Sequence, residues 1–255
     1  GPNGAGKSTT IRLLLNFLFP TAGKAFIMGK DVSRQSKAIK RFTAYVSGDV
    51  RLYEDLTVKE LLKVSDTFYG YQNKAETERL CALFEVDNAK RFRELSTGNR
   101  KKVSIVSALS SNPKVLILDE PTNGLDPVMQ KKLFHELKRR TESGMTVLLS
   151  SHNLSEVQEY CDRVAFIKRG RVLAVTDLHE ALRLNKLVTV WSDTGFTLKH
   201  PSAVLTDRSK DRQVYRFDGR PNELLAALAN PAVKDFTVEN ESLENRFLRL
   251  YEEEA

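Results

Sequence analysis

Residues 1–8 read Gly-Pro-Asn-Gly-Ala-Gly-Lys-Ser and fit G-x-x-x-x-G-K-[ST], a pattern whose residue types suit one task, the holding of a polyphosphate. Glycine lets the backbone curl so that the N–H groups of Asn3, Gly4, Ala5 and Gly6 converge on one anion. Lys7 can reach the β- and γ-phosphates, Ser8 can hold Mg²⁺, and Thr9 lies near the α-phosphate. A second group is Val115-Leu116-Ile117-Leu118-Asp119-Glu120, four apolar residues followed by two carboxylates. Asp119 is placed to hold Mg²⁺ through water, and Glu120 to orient or deprotonate a water that attacks phosphorus. A third is Leu95-Ser96-Thr97-Gly98-Asn99, where Ser96 and Gly98 open a helix and present a further N-terminal anion site.

These groups need elements to aim them. Strands and helices alternate, which predicts an α/β fold with a largely parallel sheet. Helices are predicted over Thr9–Leu18, from the Thr57–Glu60 capping box through Phe68, and over Glu76–Phe84, Asn99–Ser110 and Pro127–Glu142. Strands are predicted over Lys24–Met28, Phe42–Val46, Val115–Leu118 and Thr146–Ser150. Asn153 opens a short helix, and Val164–Ile167 and Val172–Val175 form a hairpin across Arg169-Gly170. A helix is predicted over Leu178–Leu184, and near Asn185 the texture changes. Strands at Leu187–Trp191, Ala203–Leu205, Gln213–Phe217 and Val233–Val238, with helices at Glu223–Leu228 and Leu243–Tyr251, predict a small α+β domain over 185–255. The catalytic domain is then 1–184, with a helical part at about 50–112.

The chain of 255 residues is 41% hydrophobic and 29% charged, which is ordinary for a globular protein, and no apolar run reaches the ~20 residues of a membrane-spanning helix. The net charge of +7 invites nucleic acid or anionic lipid. The basic residues are scattered, however, and the clusters Arg100-Lys101-Lys102 and Lys138-Arg139-Arg140 read as solvated faces without interleaved aromatics. No nucleic-acid partner is expected. Cys81 and Cys161 lack metal or redox spacing and read as reduced structural residues; His135, His179 and His200 also read as structural, and the Glu252–Glu254 run as a frayed end. The first residues are already the phosphate loop, so roughly 30–40 residues of preceding strands are expected for a domain of ordinary size.

The three motifs, in this order, resemble those of ATP-binding cassette (ABC) ATPases, where the third reads L-S-G-G-Q. Gly124-Leu125-Asp126-Pro127 is similar to that family's D-loop, and His152, after the strand Thr146–Ser150, to its switch histidine. The resemblance spans residues 1 to about 184. It implies a P-loop nucleotide-binding domain whose ATP, with Mg²⁺, is sandwiched between the phosphate loop of one cassette and the Ser96–Gly98 helix of another. It implies catalytic roles for Glu120, His152, Lys7 and Asp126. His152 can donate a hydrogen bond to the γ-phosphate. The chain departs from the family where a glutamine should follow Tyr45-Val46-Ser47: it has Gly48-Asp49, and Asp49 is the candidate substitute, acting through Mg²⁺. Thr97 and Asn99 also replace family residues. The family's adenine-stacking aromatic lies upstream of the phosphate loop.

The segment Arg51–Glu60 and the motif Ser242–Phe247 resemble the bacterial subfamily that exports drugs, antibiotics or peptides through ABC-2-type permeases. That implies separate integral-membrane permease subunits, a homo- or heterodimer of ATPase domains, and a peripheral place on the cytoplasmic face of the membrane. Its small C-terminal domain reads as an addition that steadies the dimer. Two other readings stay open. One is a non-hydrolysing ATP-binding regulatory module. The other is a cytosolic ABC factor acting on ribosomes or DNA, although the chain shows neither a second cassette nor a coiled-coil insertion.

Overall fold

The computed structural model describes residues 1–50, 52–70, 73–178, 186–192 and 196–245. It parts into two compact units, Gly1–His152 and Asn153–Ala255.

In the first unit a three-stranded parallel sheet has the order β3 (Thr43–Val46), β4 (Val115–Asp119), β5 (Thr146–Ser150). All five residues of β4 are buried, as a continuous apolar run in a central parallel strand requires. Helix α1 (Lys7–Leu14) lays Ile11, with Leu15 just beyond it, on Val115 and Ile117, which share one face of β4. It ends earlier than the predicted Leu18, because Asn16 turns into the left-handed region at φ 56°. The predicted strand Lys24–Met28 is only β1 (Phe26–Ile27), which pairs with β2 (Lys30–Asp31) through left-handed Met28 and Gly29. Helix α2 (Ser36–Lys40) follows.

The span expected to be helical holds α3 (Val58–Tyr69), α4 (Lys74–Phe84), a 3-10 turn (Phe92–Glu94) and α5 (Thr97–Ser110). The Thr57–Glu60 capping box forms in both directions. Helix α6 runs over Pro127–Glu142 as predicted. Asp126 caps it and proline occupies its first turn, where a missing N–H costs nothing.

The second unit holds α7 (Leu154–Tyr160), capped by Asn153, and the hairpin β6 (Arg163–Lys168)–β7 (Arg171–Asp177), which turns on left-handed Arg169 and Gly170. It also holds a four-stranded antiparallel sheet of order β11 (Val233–Asn240), β8 (Lys186–Ser192), β10 (Arg212–Phe217), β9 (Ala203–Arg208). Helix α8 (Pro221–Leu228) packs Leu224 and Leu228 against Val188, Val190, Tyr215 and Phe217. A separate core joins Val157, Phe166 and Leu178 to Leu243, whose N–H donates to Gln158 Oε1. That contact joins α7 and the hairpin to the C-terminal residues, all within the unit that begins at Asn153. Residues 179–184 of the expected helix, His179, residues 246–251 of the last expected helix, and Glu252–Glu254 lie outside the described residues.

Candidate functional site

The loop of residues 1–8 takes the curl its composition predicts. Gly4 and Gly6 stand at φ 77° and 109°, and Gly6 is the N-cap of α1. No side chain caps that end, so the first-turn amides of α1 are left for an anion. Ala5 is buried under the loop, with its N–H on the Pro2 carbonyl (3.2 Å), and Ser8 and Thr9 lie in the first turn of α1.

Lys7 Nζ donates to the carbonyls of Gly1 (2.7 Å) and Pro2 (3.2 Å) and stands 3.0 Å from Glu120 Oε1. The other carboxylate oxygen of Glu120 is 2.8 Å from His152 Nδ1. Three residues that the sequence offered from three separate stretches therefore meet at the C-terminal end of β4, the edge where open α/β sheets bind ligands. Burial disfavours ionisation of Glu120, but the Lys7 and His152 contacts outweigh it and hold the carboxyl below its ordinary range. The Lys7 contact is an ion pair of poor hydrogen-bond geometry, and Glu120 Oε1 is buried without a well-aligned donor. An atom of that kind suits a water or a ligand.

Asp119 is buried, and its Oδ1 accepts from Ser150 Oγ at 2.5 Å. Ser150, on the neighbouring strand, also takes the Glu120 N–H on both its carbonyl (3.2 Å) and its hydroxyl (3.0 Å). Asp119 Oδ2 faces Gly48, where an added Cβ would lie 3.8 Å away. The segment expected to hold the family's glutamine thus does border Asp119, but with no side chain at position 48. Asp49 next to it is exposed, and its charge acts on Lys101. Among the described residues no three of His, Cys, Asp and Glu gather as a metal cage. Mg²⁺ needs none, since it takes one or two protein oxygens and completes its shell with phosphate and water. Ser8 and Asp119 are donors of that type.

Ser96 caps α5, accepting from the Asn99 N–H at 3.3 Å. Gly98 has a packing reason to be glycine: a Cβ there would lie 2.5 Å from the Gly124 carbonyl oxygen. Asp126 Oδ1 accepts from the N–H groups of Val128 and Met129, both at 3.0 Å, and the contacts it makes within the chain are those of a helix cap. These N–H donors, Met129 first, hold its carboxyl below the ordinary range.

Two residues of the site escaped the sequence reading. Ser150 looks like any strand residue, and only its register opposite Asp119 reveals it. Lys101 is 2% exposed, so the cluster Arg100-Lys101-Lys102 is not the solvated face expected of it. Its ammonium donates to the carbonyls of Ser47 (2.9 Å), Gly48 (3.0 Å) and Glu120 (3.4 Å). A signal was present, because Lys101 shares one face of α5 with buried Ile105 and Ala108.

The ABC transporter family model matches residues 1–123. The chain is 30% identical over 260 residues to the Nod factor export ATP-binding protein I of Cupriavidus metallidurans, covering 98% of this chain and 86% of that one. It is 33% identical over 179 residues to the "Probable multidrug ABC transporter ATP-binding protein YbhF" of Escherichia coli (strain K12), covering 68% of this chain but spanning only 31% of that relative. A solved structure described as the ATP-binding subunit of an ABC transporter superposes with a TM-score of 0.66 at 34% identity, over 72% of this chain and 78% of the other. The dimeric bacterial ABC transporter cassette MJ0796 matches with a TM-score of 0.63 at 25% identity, over 70% and 83%. No described helix is long and apolar enough to cross a membrane. With its phosphate loop, its paired carboxylates at the C-terminal end of β4 and these relatives, the chain belongs to the ATP-binding domains of ABC transporters.

Proposed function

We propose that the chain binds ATP with Mg²⁺, hydrolyses it, and thereby powers export through separate membrane subunits of the ABC-2 type, from the cytoplasmic face of the membrane. The observation that carries this is the position of the Glu120 carboxylate, within 3.0 Å of Lys7 Nζ and 2.8 Å of His152 Nδ1 at the end of β4.

The loop amides of Asn3 to Gly6 and the N-terminus of α1 bind the phosphates. Lys7 leaves Glu120 for the γ-phosphate, which is the stronger anion. Glu120 is thereby freed to accept a proton from the attacking water, whose oxygen bonds to the γ-phosphorus as the bond to the β–γ bridging oxygen breaks. His152 stays beside both and donates to the γ-phosphate. Ser8 and Asp119, with Asp49 as a further candidate, would hold Mg²⁺, which neutralises charge on the transferred group. Ser150 keeps Asp119 oriented.

One set of helix dipoles does not surround a triphosphate. Ser96 and Gly98 of a second cassette, the same chain or a sibling, supply the opposite wall, and Asp126 works across that seam. The dimeric relative supports such pairing, and relatives named as Nod factor and multidrug export proteins support the direction of transport. Gly48 favours a second reading, an ATP-binding module that regulates without hydrolysis.

Glu120→Gln separates them. We expect phosphate release to fall about 10³-fold, with ATP affinity retained in calorimetry and an ATP-bound dimer accumulating in light scattering. Unchanged phosphate release removes Glu120 as the base. A wild-type protein that binds ATP but releases no phosphate establishes the regulatory reading.

A further inference from the structure

Glu120 stands at φ 47°, a left-handed conformation that a residue with a side chain holds only when its surroundings enforce it. Its N–H is fixed by Ser150, on β5. Its carbonyl is met by Lys101, on α5. The same ammonium holds the carbonyls of Ser47 and Gly48, so three donors meet three acceptors. One turn earlier on α5, Gly98 lets the helix press against the Gly124 carbonyl. The segments that follow β3 and β4 are therefore both tied to the first turns of α5. An apolar side chain of similar length would fill the same space without the cost of burying a charge. What it would not supply is a donor to those carbonyls.

We propose that Lys101 is a positioning residue for Glu120. Its ammonium fixes the peptide that follows Glu120 and so keeps the carboxylate between Lys7 and His152. This work is done within one chain, apart from anything the N-terminus of α5 offers a nucleotide held by another copy. It also gives the Gly48 segment an anchor that needs no side chain at position 48. The inference rests on the hydrolysis reading for its effect on turnover, but not for its effect on the backbone.

The test compares Lys101→Met, Lys101→Gln and Lys101→Arg with wild type in two measurements. In steady-state phosphate release, kcat should fall about 10²-fold in the Met variant, the scale of a 1 Å misplacement of a reacting group. KM should stay within about 3-fold, and Arg should restore most of the rate. A structural role alone does not produce that split or that rescue. In amide hydrogen exchange of the nucleotide-free protein, Glu120 and the segment 47–49 should exchange about 10-fold faster in the Met variant and close to wild type in Arg. An unchanged kcat, or a loss confined to KM, overturns the proposal, and so does unchanged exchange at Glu120. If wild type releases no phosphate, the hydrolysis reading fails and the exchange data alone decide for or against the clamp. If the Met variant does not fold, the Gln variant carries both measurements.

Discussion

Two clusters of charge, each around a buried or largely buried carboxylate, lie in the first unit, and they are built differently. Between α4 and α6, two carboxylates and three guanidiniums form a closed knot. Arg79 reaches Glu76 and Glu136 (both 2.8 Å), Arg139 reaches Glu136 (2.7 Å), and Arg140 bonds Glu136 (2.9 Å), Glu76 and Asn112 (3.1 Å). Burial opposes ionisation of Glu136, yet the three arginines hold its carboxyl at about 2. At the end of β4 the other group is open: Lys7 leans on backbone carbonyls, Glu120 is strained and has one oxygen without a well-aligned donor. Both burials cost solvation free energy. The knot offsets that cost internally, with opposite charges on every side of Glu136. The site leaves part of it uncompensated, which is the opening the proposed function assigns to a ligand.

The largest expected effect follows from that difference. Lys7→Ala should weaken ATP binding by about 10³-fold, roughly 4 kcal/mol, because it removes one partner of a desolvated charge pair. Calorimetry would show it, and undiminished affinity would mean that the open group is not the phosphate site. Unfolding of this variant should change less than its binding does, since two of the three acceptors around Lys7 Nζ are backbone carbonyls of the loop's own first residues.

Glu136→Gln should reverse the pattern. Removing one partner of a closed buried network leaves arginines uncompensated, and about 3 kcal/mol of stability should be lost in denaturant unfolding, with kcat per folded molecule unchanged. The pH dependence has a definite sign. Glu136 titrates at about 2 when folded, against its ordinary 4.5. Its contribution to stability is present above 4.5 and lost as pH falls toward 2. The variant should lose stability less steeply than wild type across that window. Parallel slopes would show that the knot does not set the Glu136 titration.

The contrast between the two groups was only half visible in the sequence. The open group announces itself because each part sits beside a local signal: glycines around Lys7, an apolar run before Asp119-Glu120, a strand before His152. Helices were legible where caps and periodicity agree, as at Thr57–Glu60 and at Asp126-Pro127. The closed knot is invisible one stretch at a time, because Glu76 and Arg140 are distant in sequence and joined only by the packing of α4 on α6. Lys101 and Arg140 each sit inside a run of three basic residues, which hides that both point along an apolar helix face. The short elements β2 and α2 escaped for a related reason. At two and five residues they are too brief to carry a period, and turn geometry and neighbouring packing fix them instead.

The smallest effect isolates burial from geometry. Arg93 and Asp55 form an ion pair at 2.8 Å, the same separation as Arg79 and Glu136. Their side chains are 55% and 81% exposed, whereas those of Arg79 and Glu136 are 41% and 3% exposed, so the carboxylates differ most. Water screens the exposed pair and already solvates each partner alone, so breaking it strands no charge. Asp55→Asn should cost no more than about 0.5 kcal/mol in the same unfolding experiment, and raising the salt concentration should erase even that. Distance is matched between the two pairs, but Glu136 also meets Arg139 and Arg140, so the ratio of the two losses measures what enclosure and the added partners contribute together. A loss for Asp55→Asn equal to that of Glu136→Gln would show that proximity of charges, rather than their removal from water, makes the knot matter, and the contrast between the closed and open groups would lose its physical basis.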